Sequence, residues 1–216
     1  AEAVWGAAKP GISAVVDAPA GAAESRFLPV TEANLREYLD GAWLATATCF
    51  CSPNVVPTQA LGEYLGRVDT VDEYFRWTVR FEPGELESLL PQKCAEMCGL
   101  ARLTDLRVLS RGVSGRASRV AIDWLDGAGA VRQTVLESEY EIRRVLHRRF
   151  LYSSAFEPRL RRNGDGSVRE VVLRGAGWGH GVGLCQIGGL GMALRGFSCD
   201  AICRHYYPQA RLERAY

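Results

Sequence analysis

Between Gly175 and Gly183 every second residue is glycine, and the residues between them are Ala176, Trp178, His180 and Val182. An indole two positions from an imidazole, set in backbone that carries few side chains, suits a sugar. The apolar face of a sugar ring stacks on indole, and its hydroxyls need donors and acceptors nearby. If this ladder is extended, the five glycines share one face and the four side chains the other. Its bare face then lets a ligand or a neighbouring chain come close. A second reading fits the same pattern: a tight structural crossing, with Trp178 in the core and His180 hydrogen-bonded inside it.

Other candidates lie along the chain. Gln186 opens a glycine-bearing helix over Leu184–Ala193 whose start points backbone donors towards the ladder. Ser114 and Arg116 sit in the turn Arg111-Gly112-Val113-Ser114-Gly115-Arg116, where they either touch a substrate or hold the loop. Ser153 and Ser154 cap or line the same groove. Trp178, His180, Gln186, Ser114, Arg116, Ser153 and Ser154 are thus the candidate substrate-binding residues. Nucleotide chemistry is excluded, because no Gly-x-Gly-x-x-Gly register fits the ladder and no Gly-Lys-Ser/Thr follows it. A serine hydrolase lacks its Gly-x-Ser-x-Gly elbow. Cys49-Phe50-Cys51, His180 and Cys185 are ligand types that suit zinc, but no spacing resembles a closed zinc site, so no metal or other cofactor is expected.

Short elements must position these residues. Thr31 reads as the N-cap of a helix with Leu35 and Leu39 on one side. Phe75, Trp77, Val79 and Phe81 alternate with Arg76, Thr78 and Arg80, the signature of a half-buried strand. Pro83 opens a helical region, interrupted at Pro91, that ends at Gly99. Strands follow over Leu106–Ser110 and Arg119–Trp124, then a hairpin turn at Gly127–Gly129. Ser138 and Glu141 form a capping-box pattern for a helix with Ile142, Val145 and Leu146. Further strands are predicted over Phe150–Phe156 and Val168–Leu173, joined by a solvated tip at Asn163–Gly166. Ser198 caps a last helix that Pro208 stops, with His205 and Tyr206 packing it onto the sheet. The fold class is α+β, one compact domain with short helices and a mixed or largely antiparallel sheet. Residues 1–30 read as an irregular arm anchored by Trp5, and 31–216 as the domain proper.

With 47% apolar and 24% charged residues among 216, the chain can bury a sizeable core. A net charge of +1 does not suit a nucleic-acid partner. No apolar run approaches the ~20 residues of a membrane span. Seven cysteines are too few and too scattered for a disulfide scaffold, and Cys94/Cys98 and Cys199/Cys203, each four apart, read as buried free thiols.

Gly177-Trp178-Gly179-His180-Gly181-Val182-Gly183, Cys185-Gln186-Ile187-Gly188, Gly191-Met192-Ala193 and His205-Tyr206-Tyr207 together resemble the C-terminal signature of the stage II sporulation protein D / amidase-enhancer family. Val4-Trp5-Gly6, Arg111 to Arg116, Glu141-Ile142-Arg143 and Leu151 to Phe156 match upstream pieces in the same order. The resemblance implies a bacterial lytic transglycosylase (a lyase) that cleaves peptide-free peptidoglycan strands to 1,6-anhydro products, one glutamate serving as acid and then base. It also implies a cell-envelope location, periplasmic or extracellular. A second branch of the family enhances an N-acetylmuramoyl-L-alanine amidase without catalysis of its own. The family's catalytic glutamate lies in an upstream segment with no counterpart in these residues, so no carboxylate here, Glu2 and Glu24 included, takes that role. The expectation is the substrate-groove half of such an enzyme, with glycan strands, its own upstream half or an amidase as partners.

Overall fold

The computed structural model describes residues 13–66, 74–82 and 84–213; Val4, Trp5, Gly6 and Pro83, singled out above, lie outside them. The described strands form two antiparallel sheets of three. One has the order β1 (Arg76–Phe81), β6 (Val168–Ala176), β5 (Phe156–Arg162), so that the last strand in sequence is central. The other is a meander of β2 (Leu100–Arg111), β3 (Ala117–Asp126) and β4 (Val131–Leu136). This is the α+β fold that the patterning predicts, in its antiparallel form and as one compact domain.

Alternation sets which faces meet. In β1, Trp77 and Phe81 are buried while Thr78 and Arg80 are exposed. The central β3 buries Val120, Ile122 and Trp124, and Ala121 on its other face as well. Val120, Ile122 and Trp124 join Leu173 and Phe156 of the first sheet, along with Leu86, Leu89 and Leu90 of α3 (Glu85–Lys93), Ile142 and Val145 of α4 (Glu139–Val145) and Leu146 just after it. The hydrophobic core therefore lies between the sheets and under two helices.

Caps follow their local chemistry. The Thr31 N–H donates to Asn34 Oδ1 at 2.7 Å, starting α1 (Glu32–Asp40). Ser138 Oγ accepts from the Glu141 N–H at 3.1 Å and Ser198 Oγ from the Ala201 N–H at 3.2 Å. After the short α2 (Leu61–Leu65), α3 begins behind Gly84 and runs through Pro91 without interruption. That proline deletes only the bond its N–H would have made to Glu87, in the last turn, so the helix ends two residues later instead of breaking. The helices α5 (Gln186–Leu194) and α6 (Cys199–Tyr206) close the described chain, and none of its helices is long and apolar enough to cross a membrane.

Three further expectations are corrected. The predicted strand over 150–156 is irregular until Phe156, because its backbone bonds scatter: the Leu151 N–H goes to Arg143 O, while Ser154 O and Ala155 O accept from Ala117 and Ala176. His205 and Tyr206 pack on Phe50 and Asp17 rather than on a sheet. All seven cysteines are free, but only Cys49 and Cys94 are buried; Cys98 and Cys199 are exposed.

Candidate functional site

The glycine ladder is not one extended strand. Only Gly175 lies in β6; Gly177, Gly179, Gly181 and Gly183 take φ of +69°, +77°, +67° and +97°. Glycine alone enters this left-handed region without a steric cost, so the alternation curls the backbone into a loop. Bare backbone does permit close approach, from within the protein. A Cβ on Gly175 would lie 2.1 Å from Trp77 Cζ2, and one on Gly181 would lie 2.2 Å from the Arg116 guanidinium carbon.

The loop is tethered by residues from three other segments. Trp77 Nε1 donates to Gly177 O at 3.0 Å, and the Gly179 N–H donates to Tyr152 O at 2.8 Å. Arg116 Nε donates to Gly179 O at 3.1 Å from beneath the loop, where burial lowers its pKa. Ser153 Oγ donates to Ala176 O at 2.7 Å. The 151–155 segment is itself held by the buried Glu139–Arg143 pair, whose Arg143 Nε donates to Leu151 O at 2.7 Å. Thus Arg116, Arg143, the 151–155 segment and the glycine loop, far apart in sequence, converge in space.

On the outside of this junction stands an aromatic shelf. Trp178 is 38% exposed and lies over Tyr152, ring centroids 5.1 Å apart at 41°. Tyr152 is backed edge-on by Trp77 at 5.5 Å and flanked by His147 at 6.0 Å. His180, two residues on from Trp178, and Gln186 are exposed. His180 Nδ1 accepts the Val182 N–H at 3.1 Å, which in the neutral ring leaves the proton on Nε2, free to donate outward. His147 is half-buried, and burial first, then Lys93, Arg149 and Arg148, lowers its pKa. Two shallow depressions elsewhere, one of about 100 Å³ beside Asp40, Arg76 and Arg174, include none of Trp178, His180 or Gln186.

The other candidates fall differently. Ser114 is partly exposed in the turn before Arg116, where Gly115, at φ +79°, rests on Val30. Ser153 and Ser154 are both 0% exposed, so they build the junction and do not face a ligand; Ser154 Oγ has no hydrogen-bond partner among the described residues. Tyr152 takes the outward place instead. Sequence offered no signal to choose it over its serine neighbours, because a segment without strand periodicity does not reveal which side chain faces out.

Two buried carboxylates are occupied. Burial pushes the Glu24 pKa up, but donation from the Thr48 N–H and hydroxyl and the Cys49 N–H outweighs it and holds the pKa below the usual range. Glu139 is paired with Arg143 at 3.0 Å. Glu24 therefore does not suit a general acid, which needs a raised pKa. At the far end of the loop, Asp17, Cys51 and Cys185 present ligand atoms all within 4.8 Å of one another.

A comparison with curated proteins returns no match. The model of the family described as Domain of unknown function (DUF8618) matches residues 2–183, a span that contains the Arg116 turn, the 151–155 segment and the whole glycine loop. The chain therefore belongs to the DUF8618 family.

Proposed function

We propose that this chain binds peptidoglycan glycan strands at the cell envelope, along the shelf of Trp178, Tyr152 and His147 and the glycine loop beside it, as the substrate-groove part of a lytic transglycosylase. The observation that carries the reading is the convergence: the Arg116 turn and the 151–155 segment, itself held by Arg143, bond to the glycine loop from distant parts of the sequence, beside an exposed aromatic surface. Trp178 stacks on a sugar ring, and the His180 Nε2–H and Gln186 amide bond its hydroxyls or N-acetyl group. Muramic acid stripped of its peptide carries a free lactyl carboxylate. The exposed Arg148 and Arg149 supply the complementary charge.

The occupied states of Glu24 and Glu139 favour one alternative, a non-catalytic module that binds strands and raises the turnover of an N-acetylmuramoyl-L-alanine amidase. Co-sedimentation with insoluble glycan strands, before and after removal of their peptides, tests the binding. Mass spectrometry of the strands for 1,6-anhydro ends and an amidase turnover assay then separate the two roles. Retention of peptide-free strands, lost on Trp178→Ala in a chain that still folds, is the expected result; no retention by the wild-type chain overturns both readings.

A further inference from the structure

The corner behind the glycine loop gathers groups that nothing in the glycan reading uses. Asp17 comes from the irregular N-terminal arm, Cys51 from the loop after α1, and Cys185 is the N-cap of α5. Their ligand atoms lie within 4.8 Å of one another, although 34 and 134 residues separate them in turn. The Cys49 thiol neighbours that of Cys51. Asp17 Oδ2 is buried and has no hydrogen-bond partner among the described residues. Burying a carboxylate oxygen without a donor or a cation is costly, which makes this orphan a pointer to a missing partner.

We propose that Asp17, Cys51 and Cys185 hold a thiophilic divalent metal of the zinc class. Two thiolates and a carboxylate are a donor set that selects zinc over calcium or magnesium, and three protein ligands leave the fourth tetrahedral position to an exogenous ligand. Outer groups orient the ligands. Tyr206 donates its hydroxyl to Asp17 Oδ1 at 2.5 Å, and the Gly188 N–H donates to Cys185 Sγ at 3.3 Å, as metal thiolates commonly require. The N-terminus of α5 points positive partial charge at the same sulfur. Gly188 is shaped for this corner: a Cβ there would stand 2.4 Å from Asp17 Oδ1 and 2.1 Å from the Tyr206 oxygen. The ion clips the N-terminal arm, the 49–51 turn and the end of the glycine loop together. The spacing of these residues in sequence concealed the set, because no two of them form a paired zinc-ligand motif.

Cobalt(II) titration of the reduced, metal-stripped full chain tests this. The expected result is a one-to-one complex with an intense sulfur-to-cobalt charge-transfer band and the visible bands of tetrahedral cobalt, bleached by equimolar zinc. Cys51→Ala and Cys185→Ala should abolish the band, while Cys98→Ala and Cys199→Ala leave it intact. Gly188→Ala keeps every ligand yet should weaken binding about tenfold or more by displacing Asp17. A folded wild-type chain with no charge-transfer band overturns the proposal. So does a chain purified without reductant that shows five free thiols, no bound metal and a Cys51–Cys185 disulfide peptide.

Discussion

The space between the sheets and the glycine loop beside it are held by opposite means. Between the sheets, regular strands and two helices bring fully buried apolar residues such as Ile122, Leu136, Phe156 and Leu173 together, and the stabilisation is spread over many nondirectional contacts. In the loop, four glycines at positive φ carry no apolar payload, and a few directional bonds from Trp77, Arg116 and Tyr152 hold the path. A distributed core tolerates the loss of one contact better than a tethered loop tolerates the loss of one tether. Such a loop can present side chains where no regular element would put them, which is where binding surfaces tend to lie.

The most damaging test strikes the link between the two regions. Arg143→Met leaves Glu139 buried without its partner and frees Leu151, so a loss of about 3–5 kcal/mol is expected in denaturant unfolding, with glycan binding lost as well. Next, Gly175→Ala pushes a methyl group into Trp77 and should cost about 2–3 kcal/mol by overpacking. Gly179→Ala meets nothing within 4 Å, so only its φ of +77° opposes it. The cost should be about 1–2 kcal/mol. If the two alanines cost the same, packing and backbone strain are not separate causes. Trp178→Ala should shift stability by no more than about 0.5 kcal/mol while weakening strand binding about tenfold, read by co-sedimentation.

The smallest effect is one of pH. The His147 pKa is lowered in the folded chain, so its contribution is fully present above the unfolded value near 6.5 and is lost as pH falls through the folded value. His147→Gln should flatten the stability profile over that interval, measured as melting temperature against pH. An unchanged slope would mean that the shelf's inner edge is already solvated.

Much of the fold was legible because it is written in local periods. The alternation around Trp77, the Ser138 and Ser198 caps and the turns at Gly127–Gly129 and Asn163–Gly166 each need only neighbours in sequence to act. The site was legible in part. Trp178, His180 and Gln186 are exposed as a binding reading requires, whereas Ser153 and Ser154 turned inward and Tyr152 and His147 came forward. Residues 151–155 have no period to read, since their carbonyls accept from scattered donors, Tyr152 O from Gly179, Ser154 O from Ala117 and Ala155 O from Ala176.

By itself, then, the sequence determined the class of the fold, most of its helices and strands, and the glycine-rich stretch in which side chains would be sparse. Tertiary structure decided that the glycines curl instead of extending, that Arg116 and not a ligand fills the space under Gly181, and that Asp17, Cys51 and Cys185 share a corner. The division has a physical cause. Periodicity and capping are set by residues a few positions apart, whereas a left-handed turn, a buried guanidinium and a cluster of thiols exist only once distant segments have packed.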